Sequence, residues 1–475
     1  MTKVLIINEN TLPKSGQHRL TKPKYLFPFS SQHSPTYLRG NFKVVVSELA
    51  RIITKYQLKK NELNAIGYQY YEGAHKLSEY IANSKQIDFE DDVARVDFIR
   101  FIDTYLFNND GQMKIIHTYL YNFIGESEPN QTVLRSIAEF INSVFVGDNK
   151  EIQDIFKNKE TDDVLTKLII EEINCLVEER DNSSKRKYSN ILPGFVKLFR
   201  EDIKFLVQHK DFFIANFEMF MNYYIFMYIC QSVIQFEKLL QGNEEEVQPI
   251  YFALDWEAVT KKRPVANHIS GYKFIKEHAN NLFANEFVLR LLSHNTFNAD
   301  SEGNLKDSLD VYSYQKLITE IEARGESSVQ QCVVDLKNMI QNYIEWAKVE
   351  DPPEIPNSIK ELLTVLLRLV KKEMPLGVQV RYGQSLDYLG HGMFLKQRGS
   401  LGYLLNVQHD FLMLMTAVIV KDERMPFKTL LKEFEKRGIA FDRHSIEEIV
   451  TLFNNHNILD KKSDSGDAQY VKPIL

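Results

Sequence analysis

Residues 426–475 read PFKTLLKEFEKRGIAFDRHSIEEIVTLFNNHNILDKKSDSGDAQYVKPIL. Phe427, Leu430, Leu431 and Phe434 fall at i, i+3, i+4 and i+7, the spacing of one helical face. Pro426 stands where a first helical residue belongs, and Gly438 ends the segment after Lys436 and Arg437. Ser445 and Glu448 have the spacing of a capping box, in which each side chain satisfies a backbone N–H left over at a helix start. Ile446, Ile449, Val450 and Phe453 then repeat the apolar spacing. Ile458–Lys462 and Gln469–Lys472 flank Ser463–Asp467, where Asp and Gly supply the turn, so this part predicts a hairpin. Helix, turn, helix and hairpin make a winged-helix plan, a module that docks on nucleic acid or protein and seldom does chemistry.

Working outward, Asn406–Val420 is an apolar helix leading into this module. Residues 377–402 hold Gly377, Gly383, Gly390, Gly392, Gly399 and Gly402, with Arg381, Lys396 and Arg398 between them. Glycines this dense imply positive φ or a backbone closely approached by another group. A phosphate backbone is one such group. A packed neighbour is the other, and the commonness of glycine turns favours it. Upstream, helical spacing recurs over about 88–107, 132–146, 150–180, 194–209, 211–241, 271–293, 312–324, 328–349 and 357–373. Gln241–Glu246 and Asp351–Pro356 read as breaks, and Tyr251–Leu254 as a short strand. The expected fold is mainly α: a multi-helix body with a small C-terminal winged-helix-like α+β module. The expected divisions are a basic N-terminal arm and first helix (1–60), two helical regions (61–245 and 246–375), a Gly-rich basic connector (376–403) and the module (404–475). No motif recurs at a fixed period, which argues against a solenoid.

The 475 residues are 44% hydrophobic and 26% charged, the balance of a soluble globular chain. Cys175, Cys230 and Cys332 lie far apart and suggest neither a disulfide framework nor a zinc site, which fits a reducing, cytoplasmic setting. No signal peptide is visible. Phe212–Cys230 is the most membrane-like stretch, but its clean part is about half a span, so a buried aromatic helix is expected and membrane association is not. The net charge of −6 is uneven. Residues 1–60 carry +9 and the remainder −15, so the N-terminal part suits either a polyanion or a solvated arm.

There is no P-loop, no strand-borne G-x-G-x-x-G and no H-E-x-x-H. Gly383–Asp387 misses the last glycine of a nucleophile elbow, leaving Ser385 a loop serine. Asp202-Ile203-Lys204 and Asp335-Leu336-Lys337 imitate a nuclease ending but have no partner carboxylates to share an ion. His409-Asp410 recurs in metal-dependent phosphohydrolases, yet an Asp in a helix's first turn is explained by the helix dipole alone. No catalytic residue, metal or cofactor is expected.

Phe394–Asn406, Asp410–Leu414, Phe434–Asp442, Ser463–Val471 and Tyr223–Gln231 together resemble the DptG family, the G component of bacterial DNA phosphorothioation-dependent restriction. The resemblance is mostly after residue 390, and it carries no assigned active site. It implies a non-catalytic subunit of an anti-phage complex beside an ATPase and a helicase-like protein, restricting DNA that lacks the sulfur modification. Double-stranded DNA is a candidate further partner; the resemblance does not itself assign that contact to this subunit. The alternatives are a metal-dependent nuclease with an unrecognised site and a winged-helix DNA-binding regulator. On the module's second helix, Glu447, Glu448, Thr451, Asn454 and Asn455 are the expected solvent-side residues. Two carboxylates there repel phosphates where a DNA reader places its contacts, so these five are the partner-binding candidates. Lys461, Lys462 and Lys472 on the wing, with Arg381, Lys396 and Arg398, are the nucleic-acid candidates.

Overall fold

The computed structural model describes residues 12–13, 16–19, 24–30, 34–40, 42–58, 73–83, 87–124, 131–173, 176–178, 187–267, 270–296, 311–461 and 469–475. Much of the basic N-terminal part is interior. Leu26, Phe27 and Phe29 are buried, and helix α1 (Phe42–Thr54) buries Val44, Val45, Val46, Leu49 and Ala50. Its own charges go inside with them. Arg51 lies 2.7 Å from Glu48, and its Nη1 also donates to the Asn122 and Ile124 carbonyls. These bonds offset the cost of burying the guanidinium, while Glu48 Oε2 accepts no hydrogen bond among the described residues and has Arg135 at 3.5 Å. Lys43 donates to the Met113 carbonyl at 2.6 Å. Lys43 and Arg51 are therefore structural, which corrects the view of 1–60 as either solvated or free for a polyanion at those positions.

Helix α2 (Asp92–Leu106) belongs to a satellite cluster with Leu77, Ile81, Leu120 and Ile169, while α3 (Gln131–Ile141) packs along α1. Residues 150–180 do not form one helix. Two helices, Lys150–Lys157 and Val164–Glu172, are separately capped by Asn149 and Asp163.

Helix α4 (Pro193–Leu206) leads into α5 (Lys210–Lys238), the axis of the body. Every residue from Phe220 to Val233 is buried. A helix apolar all round is stable only when neighbours enclose it. Among the described residues, no helix is long and apolar enough to cross a membrane. The tyrosines of α5 keep their hydroxyls satisfied: Tyr223 donates to the Arg437 carbonyl, Tyr224 to Asp202, and Tyr228 accepts from the Ile191 N–H.

After residues 241–249 the strand β1 (Ile250–Phe252) follows, then α6 (Tyr272–Ala279), α7 (Leu282–Thr296), α8 (Glu326–Ala347), α9 (Ile359–Glu373) and α10 (Leu376–Gly390). Buried Glu286 on α7 accepts from the Leu26 N–H at 2.8 Å and from the Tyr382 hydroxyl, tying the N-terminal segment to α7 and α10. The Gly-rich stretch is thus mostly helix, then a hairpin of β2 (Leu395–Gln397) and β3 (Tyr403–Leu405). Two of its glycines serve packing. A Cβ at Gly383 would lie 2.8 Å from the Asn280 backbone nitrogen, and one at Gly390 would lie 2.6 Å from the Phe226 ring. Gly392, Gly399 and Gly402 have positive φ and shape the hairpin.

The chain closes with α11 (His409–Val420), β4 (Met425–Pro426), α12 (Phe427–Lys436), β5 (Ile439–Phe441), α13 (Arg443–Asn455), β6 (Leu459–Lys461) and β7 (Gln469–Val471). The sheet order β6–β7–β4 is antiparallel throughout, pairing Leu459 with Val471 and Val471 with Met425. Three helices and this sheet complete the winged-helix-like module. It does not stand apart. β5 pairs in parallel with β1, and one core cluster runs from Leu26 to Val471 across the expected boundaries at 245/246 and 403/404.

Candidate partner and nucleic-acid interfaces

The start of α13 differs from its sequence reading. The cap is Asp442, whose side chain accepts from the Ser445 N–H at 3.0 Å, so the helix begins before the expected Ser445–Glu448 box. Ser445 is buried, and its hydroxyl accepts from the Leu254 N–H and from Arg263. Arg263 also grips Asp442 through two bonds of 2.7 Å. Burial alone would raise the Asp442 carboxyl; the hydrogen bonds from Arg263 and Ser445 outweigh it and hold the group below its usual range. The amino end of α13 is thereby pinned to the body.

A second clamp holds α12. Arg437 meets Asp202 of α4 through two bonds of 2.6 Å and Glu433 at 3.0 Å, and Tyr224 donates to the same aspartate. Asp202 is fully buried, so this aspartate of the nuclease-like Asp202-Ile203-Lys204 string is a structural counter-ion. Ser385 is likewise buried, on α10 rather than in a loop. Asp335 accepts from Gln331 within α8, and Asp410 lies in the first turn of α11. Among the described residues, no group of three or more His, Cys, Asp or Glu is placed to hold a metal ion.

Glu447, Glu448, Thr451, Asn454 and Asn455 all face solvent on α13. Arg443, exposed beside them, pairs with Glu447 at 2.9 Å. This face carries carboxylates and amides, with its nearest cation already engaged. On the wing, Lys472 is 3.1 Å from Asp460 and 3.3 Å from the Asn457 side-chain oxygen. Lys461 lies on β6, whereas Lys462 and the turn 463–467 fall outside the described residues.

The other cations have different surroundings. Lys396 is half-buried on β2, and Arg398 donates to the Val259 carbonyl at 3.1 Å, holding the hairpin against residues 253–265. Arg381 lines a cleft of about 550 Å³ between residues 16–19, the end of α8 and the start of α10. The cleft's outer wall is anchored by His18, whose Nε2 is 2.7 Å from the Tyr343 hydroxyl and whose ring meets Trp346 edge-on at 5.0 Å. Burial pulls the His18 imidazole down to about 4. Trp346 donates to the Pro13 carbonyl at 3.0 Å. Nothing in the spacing of residues 13–19 signals this cleft, because its other walls lie more than 300 residues away.

Compared with known proteins, the chain matches no family model and no curated protein significantly.

Proposed function

We propose that this chain is a non-catalytic subunit of a bacterial DNA phosphorothioation-dependent restriction complex, joining ATPase and helicase-like partners through its C-terminal module. One observation carries the reading. Four of the five stretches that resemble the DptG family, scattered in sequence, meet at one place. Tyr223 contacts Phe394 at 5.8 Å and Phe411 at 4.8 Å, and its hydroxyl donates to the Arg437 carbonyl. These residues come from four of the resembling stretches, and they form the seat of the module on the body.

The exposed face of α13 suits a protein better than DNA. A helix that reads bases places cations and amides near its amino end, whereas here that end is bound to Arg263 and followed by Glu447 and Glu448. DNA contact falls to the wing, with Lys461, Lys462 and Lys472.

Co-purification with the ATPase and helicase-like subunits tests this. Glu447→Lys with Glu448→Lys should abolish assembly, whereas Lys461→Ala with Lys462→Ala should leave it intact and weaken DNA binding alone. Full assembly by the charge-reversed helix would assign the interface elsewhere. Metal-dependent plasmid cleavage by the isolated chain, lost on changing one carboxylate, would replace the whole reading with a nuclease.

A further inference from the structure

The cleft beside His18 has a chemistry that the C-terminal module does not use. At about 550 Å³ it has the size of a small-ligand pocket and cannot admit a duplex. Its lining is divided. Trp346 and Val378 give an apolar wall, and Arg19, Lys348 and Arg381 bring three cations from three separate segments. Arg19 and Lys348 are exposed, and Lys348 is held in the left-handed region at φ 55° as the C-cap of α8. Pro375 and Val378 place the first turn of α10 at the cleft; the Val378 N–H is bonded to the Pro375 carbonyl, so the Leu376 and Gly377 N–H groups are the ones that precede the helical ladder there, and the dipole favours an anion. Glu373, the last residue of α9, adds a hydrogen-bond acceptor.

Cations and helix N–H groups call for a phosphate. The indole and Val378 call for a flat apolar body beside it, and Glu373 for a donor such as a base amino group or sugar hydroxyl. We infer that this cleft binds a nucleoside phosphate, either free or as the 5′-phosphorylated end of a DNA strand. The inference does not depend on the partner role assigned to α13.

The chain has two tryptophans, and Trp256 sits in a separate small cluster, so a full-length Trp256→Phe protein leaves Trp346 as the reporter. It would be titrated with deoxyadenosine 5′-monophosphate, deoxyadenosine, and a tetranucleotide with and without a 5′-phosphate, with calorimetry as a second readout. Saturable binding of the phosphorylated ligands is expected, at least about tenfold tighter than their unphosphorylated forms, as charge-assisted hydrogen bonds require. Arg19→Ala and Lys348→Asn should each weaken it by about tenfold; Asn accepts the left-handed backbone, so folding is preserved. Lys360→Glu, at the far end of α9, should change nothing. The ratio of mononucleotide to phosphorylated tetranucleotide affinity then identifies the source of the phosphate. No saturable binding of either phosphorylated ligand, equal affinity for deoxyadenosine, or unaltered binding by both cleft variants would overturn the inference.

Discussion

Arg437 and Asp202 are 235 positions apart, yet each is the other's counter-ion in the interior. Removing one partner leaves the other charged where water cannot reach it, which costs about 3–5 kcal/mol. Arg437→Met should therefore lower the urea midpoint severely. Adding Asp202→Leu should recover much of that loss, because the pair itself contributes little beyond cancelling its own desolvation. If the double variant is as unstable as the sum of the two single changes, the pair is not acting in this way. His18 makes a pH prediction. Its imidazole titrates near 6.5 when unfolded and near 4 when buried. The folded form therefore binds fewer protons between those values, and its contribution is complete above about pH 6.5 and is lost as pH falls toward 4. Trp346 emission should shift through that window as residues 16–19 leave their seat. His18→Gln should flatten the titration; an unchanged profile would place the responding group elsewhere.

Two glycines of α10 differ in what surrounds them. A Cβ at Gly383 meets the backbone of Asn280, which cannot turn aside, so Gly383→Ala should cost about 1–3 kcal/mol by overpacking. At Gly377 the nearest atom is the far end of Arg381 at 3.9 Å. Gly377→Ala should then be neutral or stabilising by up to about 1 kcal/mol, since alanine restricts the unfolded chain and favours helix. Thermal melts of the two variants check both signs. On α13, Glu447→Lys loses only an exposed pair with Arg443, worth about 0.3–0.5 kcal/mol. A variant that fails to assemble should therefore still melt close to the wild type.

The whole molecule should not divide at residue 403. Truncation there removes β5 from β1, leaves Asp202 buried without Arg437, and uncovers Phe394 and Tyr223 where α11 had packed. We expect the 1–403 fragment to aggregate or to lose near-ultraviolet dichroism, while the intact chain unfolds with the core from Leu26 to Val471 as one transition. A soluble, natively packed fragment would show that the module's seat is dispensable.

Local chemistry was enough to place most helices, the wing strands and the solvent face of α13. Apolar spacing such as Phe427, Leu430, Leu431 and Phe434 is set by the helix's own geometry, and no partner is needed to read it. The buried character of α5 was legible for the same reason, since a segment as apolar as Phe220–Val233 has only the interior to occupy. The cap of α13 is not legible locally, because Ser445 has two uses. The spacing to Glu448 offers a local one, but Arg263 and Leu254 claim its hydroxyl from 182 and 191 residues away. The same limit hid the Asp202–Arg437 clamp, the interior fate of Lys43 and Arg51, and the cleft shared by Arg19, Lys348 and Arg381. Sequence determined most of the helices and their apolar faces, though not α10, whose glycines read as a connector until Asn280 and Phe226 are seen packed against them. Only the tertiary structure decided which charges meet, because a buried ion finds its partner through space and not along the chain.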